Sequence, residues 1–154
     1  MSAVIIYFSA GGRTAGVAKE LKAFMDADIF EIVPKEVYTA ADINWINPFA
    51  RCNREQLSKE DVAISGKVED FEKYDTVYLG FPIWYGAAPK VVYSFCKQYN
   101  WANKNIYIFT TSGGGGIGKT MQKVQAVTEG AKIIEAKLVK SASELKEWAK
   151  NLNK

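Results

Sequence analysis

Three short stretches of this chain carry residues whose types and spacing could do chemistry. The first, FSAGGRT (8–14), sets the hydroxyls of Ser9 and Thr14, the glycines Gly11 and Gly12, Ala10 and the guanidinium of Arg13 directly after an apolar run. A glycine-rich turn that opens a helix lets backbone N–H groups come close to an anion, which the helix N-terminus favours. The second, PIWYGAAP (82–89), offers the aromatic rings of Trp84 and Tyr85 beside Pro82, Ile83 and Gly86. The third, TSGGGGIGKT (111–120), fits the G-x-x-x-x-G-K-[ST] phosphate-loop pattern through Gly113, Gly118, Lys119 and Thr120. Read literally, that pattern makes the chain a nucleotide hydrolase.

Other chemistries are removed by composition. The sequence has no histidine, so no Ser-His-Asp triad, Cys-His pair or histidine-ligated metal can form. Cys52 and Cys96 belong to no C-x-x-C pair, which argues against zinc ribbons, iron–sulfur sites and dithiol redox motifs. Cys96 shares a helical face with Val91, Val92, Phe95 and Tyr99 and reads as core packing. Net charge is +3 with the signs interspersed, and no basic block or aromatic RNA motif appears, so nucleic acid is not the expected partner. What remains is chemistry by carboxylates, lysines and backbone groups, or by a borrowed cofactor.

The chain has 154 residues, 48% of them hydrophobic and 24% charged, which fits one soluble globular domain spanning 1–154. No apolar run approaches the ~20 residues of a membrane span. No leader peptide is recognisable ahead of the first apolar run, so a cytoplasmic location and no membrane partner are expected. Five runs read as strands: AVIIYF (3–8), DIFEIV (28–33), DTVYLGF (75–81), NIYIFTT (105–111) and KIIEAKLV (132–139). The first, third and fourth are almost continuously apolar, as strands covered on both faces should be; the charges in the second and fifth suit edges. Helical periods lie between them. Val17, Leu21, Phe24 and Met25 define one, the segment APKVVYSFCKQY (88–99) a second, and Ile117, Met121, Val124 and Val127 a third. A fourth runs through Leu145, Trp148, Ala149 and Leu152 behind a capping box of Ser141 and Glu144. Alternation of strand and helix predicts an α/β, three-layer doubly wound sandwich. Its parallel sheet has five strands in the order 2-1-3-4-5. Residues 34–66 are irregular, with helix starts at Thr39–Asp42 and Ser58–Asp61.

This organisation decides between the two glycine loops. A phosphate-loop hydrolase puts its loop after the first strand and needs a later strand ending in Asp to hold magnesium. Here the loop follows the fourth strand, and KIIEAKLV ends without a carboxylate. The nucleotide-hydrolase motif is therefore read as a coincidence, and a P-loop nucleotide-binding module stays a remote alternative. In the predicted sheet, ligands sit at the carboxyl ends of strands 1 and 3, the topological switch point. The loops 9–14, 82–90 and 111–120 converge there: hydroxyls and amides for a phosphate, aromatics, and bare backbone for a flat heterocycle. The bland alternatives are a plain βα turn for the first loop and a buried aromatic cluster for Trp84 and Tyr85. Trp45 in the irregular stretch reads as local packing or as a ring contact.

FSAGGRT, YDTVYLGFPIWYGAAP and FTTSGGGGIGK together resemble the flavodoxin family, along essentially the whole chain. That resemblance implies FMN as cofactor. Ser9, Ala10, Gly11, Gly12, Arg13 and Thr14 would hold its phosphate, and Trp84 and Tyr85 would flank the isoalloxazine in the loop of Pro82, Ile83 and Gly86. The backbone of Thr111, Ser112, Gly113, Gly114 and Gly115 would line the pyrimidine edge of the ring. It further implies a soluble, low-potential electron-transfer carrier serving a reductase and an acceptor protein, or a small-molecule acceptor. The alternative is an FMN-dependent NAD(P)H oxidoreductase of the quinone- or nitro-reductase type. Gly11 and Arg13 depart from the family's usual hydroxyl residue and Asn, and the near-neutral charge departs from its usual acidity.

Overall fold

The computed structural model describes residues 2–9, 12–25, 27–35, 51, 62–83, 88–112, 120–139 and 142–152. Its strands are β1 (Ala3–Tyr7), β2 (Asp28–Glu31), β3 (Val33–Pro34), β4 (Ile64–Ser65), β5 (Thr76–Ile83), β6 (Asn105–Ser112) and β7 (Lys132–Leu138). Its helices are α1 (Arg13–Phe24), α2 (Lys90–Cys96), α3 (Thr120–Val127) and α4 (Ala142–Leu152), with a 3-10 turn at Phe71–Lys73. Five strands form one parallel sheet in the order β2-β1-β5-β6-β7. Counting those five alone, this is the 2-1-3-4-5 order expected, with the charged runs at the two edges.

Strand alternation builds the layers. Val4, Ile6 and Phe8 point to one face with Val77, Leu79, Ile106 and Ile108, where they meet Val91, Val92, Phe95 and Cys96 of α2 and Val124 of α3. Ile5 and Tyr7 point to the other, with Tyr78 and Phe109, against Ala18 and Leu21 of α1 and Leu145, Trp148 and Ala149 of α4. A period of two along each strand thus supplies both cores at once. Cys96 is fully buried, and its burial pushes the thiol up from its ordinary range, as plain core packing requires.

Three expectations are corrected. DIFEIV is not one strand. Ile32 donates its N–H to the Tyr7 carbonyl at 2.7 Å, after which Val33–Pro34 leaves the sheet and pairs antiparallel with Ile64–Ser65. On α1 the buried residues are Thr14, Ala18 and Leu21, while Phe24 is 41% exposed. Close contact with both the sheet and α4 selects small side chains over the larger apolar ones. On α3 the same happens: Thr120, Val124 and the following Thr128 are buried and Met121 is exposed. Thr128 remains buried because its hydroxyl donates to the Val124 carbonyl at 2.9 Å. The helix starts at 39–42 and 58–61, and Ser141 of the capping box, lie outside the described residues.

Candidate functional site

The carboxyl ends of β1, β5 and β6 meet where the order of connection reverses, between β1 and β5. β1 runs out first: the Phe8 N–H donates to the Gly80 carbonyl at 2.9 Å, and the chain then turns away at Ser9. Among the described residues β5 continues to Ile83 with β6 alone as neighbour, in the register Pro82↔Thr111 and Ile83↔Ser112. The Gly80 carbonyl faces β1, so the period of two puts the Pro82 nitrogen on that side, past the end of β1. A proline there has no N–H with which to extend the ladder, which suits a strand end where β1 runs out. Gly80 itself has no room for a side chain: a Cβ would lie 2.1 Å from the Phe109 ring, whose centre is 6.4 Å from that of the Trp148 ring.

The turn into α1 is built around Gly12, whose φ of 88° lies in the left-handed region that favours glycine. Its N–H donates to the Ser9 hydroxyl at 3.1 Å, which closes the turn and leaves the Ser9 hydrogen pointing elsewhere. Among the described residues no side chain caps α1, and its first turn holds no acidic residue. The N–H groups and the positive end of the helix dipole are thus left for an anion. Arg13, exposed on the first turn, adds a full positive charge to the same end.

One contact ties this turn to β6. Thr14 and Thr111 are both buried, and their hydroxyl oxygens are 2.8 Å apart. Thr110 faces the opposite way, its hydroxyl donating toward the Lys137 carbonyl at 3.4 Å. The sequence suggests only a backbone role for Thr111; its side chain is a member of the site that sequence reasoning missed. The available signal was a pair of threonines ending an apolar strand, of which alternation must turn one inward.

Among the expected site residues, Ser9, Gly12, Arg13 and Thr14 stand on the turn into α1. Pro82 and Ile83 stand at the end of β5, and Thr111 and Ser112 at the end of β6. Ala10, Gly11, Trp84, Tyr85, Gly86, Gly113, Gly114 and Gly115 lie outside the described residues, as do Trp45 and Lys119. Tyr7 is the ionisable side chain of the last β1 residue. Burial, and then the Glu31 carboxylate, hold its phenol above the ordinary range, so it stays neutral. Among the described residues no group of three or more His, Cys, Asp or Glu could hold a metal. No helix among them is long and apolar enough to cross a membrane. The geometry therefore suits an anionic ligand held by dipoles, hydroxyls and one guanidinium at the carboxyl end of the sheet.

Comparison with known proteins gives the same outline. A family model described as flavodoxin matches residues 2–152. A candidate flavoprotein from Bacteroides uniformis superposes with a TM-score of 0.90 at 33% identity, over 97% of this chain and 97% of its own. A second, from Bacteroides eggerthii, gives 0.88 at 30% identity, over 99% and 98%. A flavoprotein from Lactobacillus acidophilus solved in complex with FMN gives 0.72 at 20% identity, over 96% and 98%, a likeness of fold. No curated protein matches the sequence.

Proposed function

The chain belongs to the flavodoxin family, and from that premise we propose that it binds FMN, non-covalently and one per chain, and serves as an electron carrier. The observation that carries this reading is the uncapped start of α1, with Ser9, Gly12, Arg13 and the buried Thr14 gathered at the β1–β5 crevice. A phosphate is the anion such a turn holds best, because hydroxyl and N–H donors can each meet a separate oxygen. The rest of the cofactor would lie along the crevice toward the ends of β5 and β6. The FMN bound to the Lactobacillus acidophilus relative supports the choice of ligand.

When bound, FMN supplies one- and two-electron chemistry; the protein binds it, orients it and sets the charge around it. The described parts of the three loops contribute Arg13 and Lys90 and no carboxylate. The partners would be a reductase and an acceptor protein, or a small-molecule acceptor. Absorbance of the purified protein tests the cofactor: bands in the blue and near ultraviolet, restored by FMN after stripping, are expected. Uptake of ATP with magnesium in place of FMN overturns the reading. Steady NADPH oxidation in the presence of a quinone, with no added reductase, would replace the carrier by an oxidoreductase.

A further inference from the structure

The Thr14–Thr111 pair contains two hydroxyl hydrogens and one bond between the oxygens. One hydrogen is used in that bond. Among the described residues, neither hydroxyl has another partner for the second, although both side chains are about 98% buried or more. A buried donor without an acceptor costs about 1–3 kcal/mol. Such a group points to a ligand that satisfies it.

The direction of the bond follows from electrostatics. If Thr14 donates to Thr111, the Thr14 lone pairs face any anion at the start of α1, and the contact is repulsive. If Thr111 donates to Thr14, the Thr14 hydrogen is free to point at the anion. A hydroxyl that accepts a hydrogen bond is also the better donor, because the chain polarises in one direction. An anion at α1 therefore selects the order Thr111 to Thr14 to ligand. Thr111 is suited to the outer place: it sits on a strand paired with β5, and its β-branched side chain is stiff at χ1.

Resting on the FMN reading above, we infer that Thr111 is a positioning residue for the phosphate. It acts through Thr14 by fixing which way the Thr14 hydroxyl donates. It touches the phosphate loop from β6, a strand otherwise expected to serve the ring. The consequence is selectivity for the phosphorylated flavin.

The test compares FMN and riboflavin binding to the full chain, by fluorescence titration of the wild type, Thr111→Val and Thr111→Ser. Valine keeps the shape and removes the donor; serine keeps the donor. Thr111→Val is expected to lower FMN affinity about threefold to tenfold, the loss of one hydrogen bond, with a smaller change for riboflavin. Thr111→Ser should restore FMN binding. In a Thr14→Ala background, Thr111→Val should have no further effect on FMN, because the relay is already cut. Should Thr111→Val fail to fold, Thr111→Ala serves in the same comparison. Equal losses for both flavins, an unchanged FMN-to-riboflavin ratio, or a serine that does not restore it would overturn the role of Thr111 while leaving FMN binding intact. A wild type that binds neither flavin sinks the proposed function and this inference with it.

Discussion

The two ends of the sheet treat their polar groups in opposite ways. At the amino end, the Lys104 ammonium is buried before β6, where it donates to the Phe71 carbonyl at 3.0 Å and also to the Tyr74 carbonyl. It lies 4.5 Å from the centre of the Phe71 ring. Nearby, the Tyr74 hydroxyl donates to Asp28 at 2.5 Å, and the Trp101 indole donates to the Cys96 carbonyl at 2.7 Å. Backbone bonds from Asp75 to Ser2, Asn105 to Asp75 and Lys132 to Lys104 lace the strand starts together. At the carboxyl end the described groups are left open instead: an uncapped helix, a left-handed glycine and a hydroxyl pair with a hydrogen to give. One end completes its bonds within the protein, and the other leaves donors open among the described residues. The bonding thus differs along the strand axis, with the open groups at the switch point.

Substitutions at the two ends should therefore separate stability from affinity. The largest effect is expected from Lys104→Met, which leaves two buried carbonyls without their donor. We expect a loss of about 3 kcal/mol, or roughly 10 °C in Tm, with FMN affinity of the folded protein unchanged. Thermal melting paired with flavin titration checks it, and a parallel fall in FMN affinity would break the division. Next comes Thr14→Ala at the other end. FMN affinity should fall tenfold or more, the magnitude of a charge-assisted hydrogen bond, with riboflavin affected much less and Tm changed by a few degrees at most. A Tm loss as large as that of Lys104→Met would make Thr14 a structural residue.

The smallest effect belongs to Tyr74, whose phenol is pushed up to about 12 by burial and then by its bond to Asp28. The folded protein holds that proton more tightly than the unfolded chain. The stabilisation is therefore complete below pH 10 and is lost as pH rises from 10 through about 12. Tyr74→Phe should cost about 1 kcal/mol at neutral pH and remove that part of the alkaline decline. Denaturant melts of both proteins between pH 8 and pH 12 would show it as a slope present in one and reduced in the other. Equal slopes would remove Tyr74 from the amino-end network.

Much of the sheet was legible in the sequence because its strands are buried on both faces, and continuous β-branched and aromatic runs are hard to read otherwise. The edges were legible from the charges within DIFEIV and KIIEAKLV. Helix faces were read less well. Counting large apolar residues favoured Phe24 and Met121, whereas packing against the sheet chose Ala18, Thr14 and Thr120, whose value lies in being small. The glycine turn into α1 could be found from local residue types. The Thr14–Thr111 contact could not, since its partners are 97 residues apart. Lys104 was equally hidden: a lone lysine before an apolar run looks solvated until a 3-10 turn folds carbonyls over it.

The short pairing of β3 with β4 has a consequence for how this sequence can change over time. Val33–Pro34 and Ile64–Ser65 clasp the chain on either side of a long intervening stretch, and the Lys35 N–H reaches the Ala63 carbonyl at 2.9 Å. The stretch thus departs from and returns to one fixed place. Closing a loop on such an anchor carries an entropy that grows only with the logarithm of its length, about 0.6 kcal/mol for each doubling. On loop-closure entropy alone, a change of length between the anchors costs the sheet little. The clasp makes this a position at which a lineage can try new lengths and compositions beside an unaltered sheet.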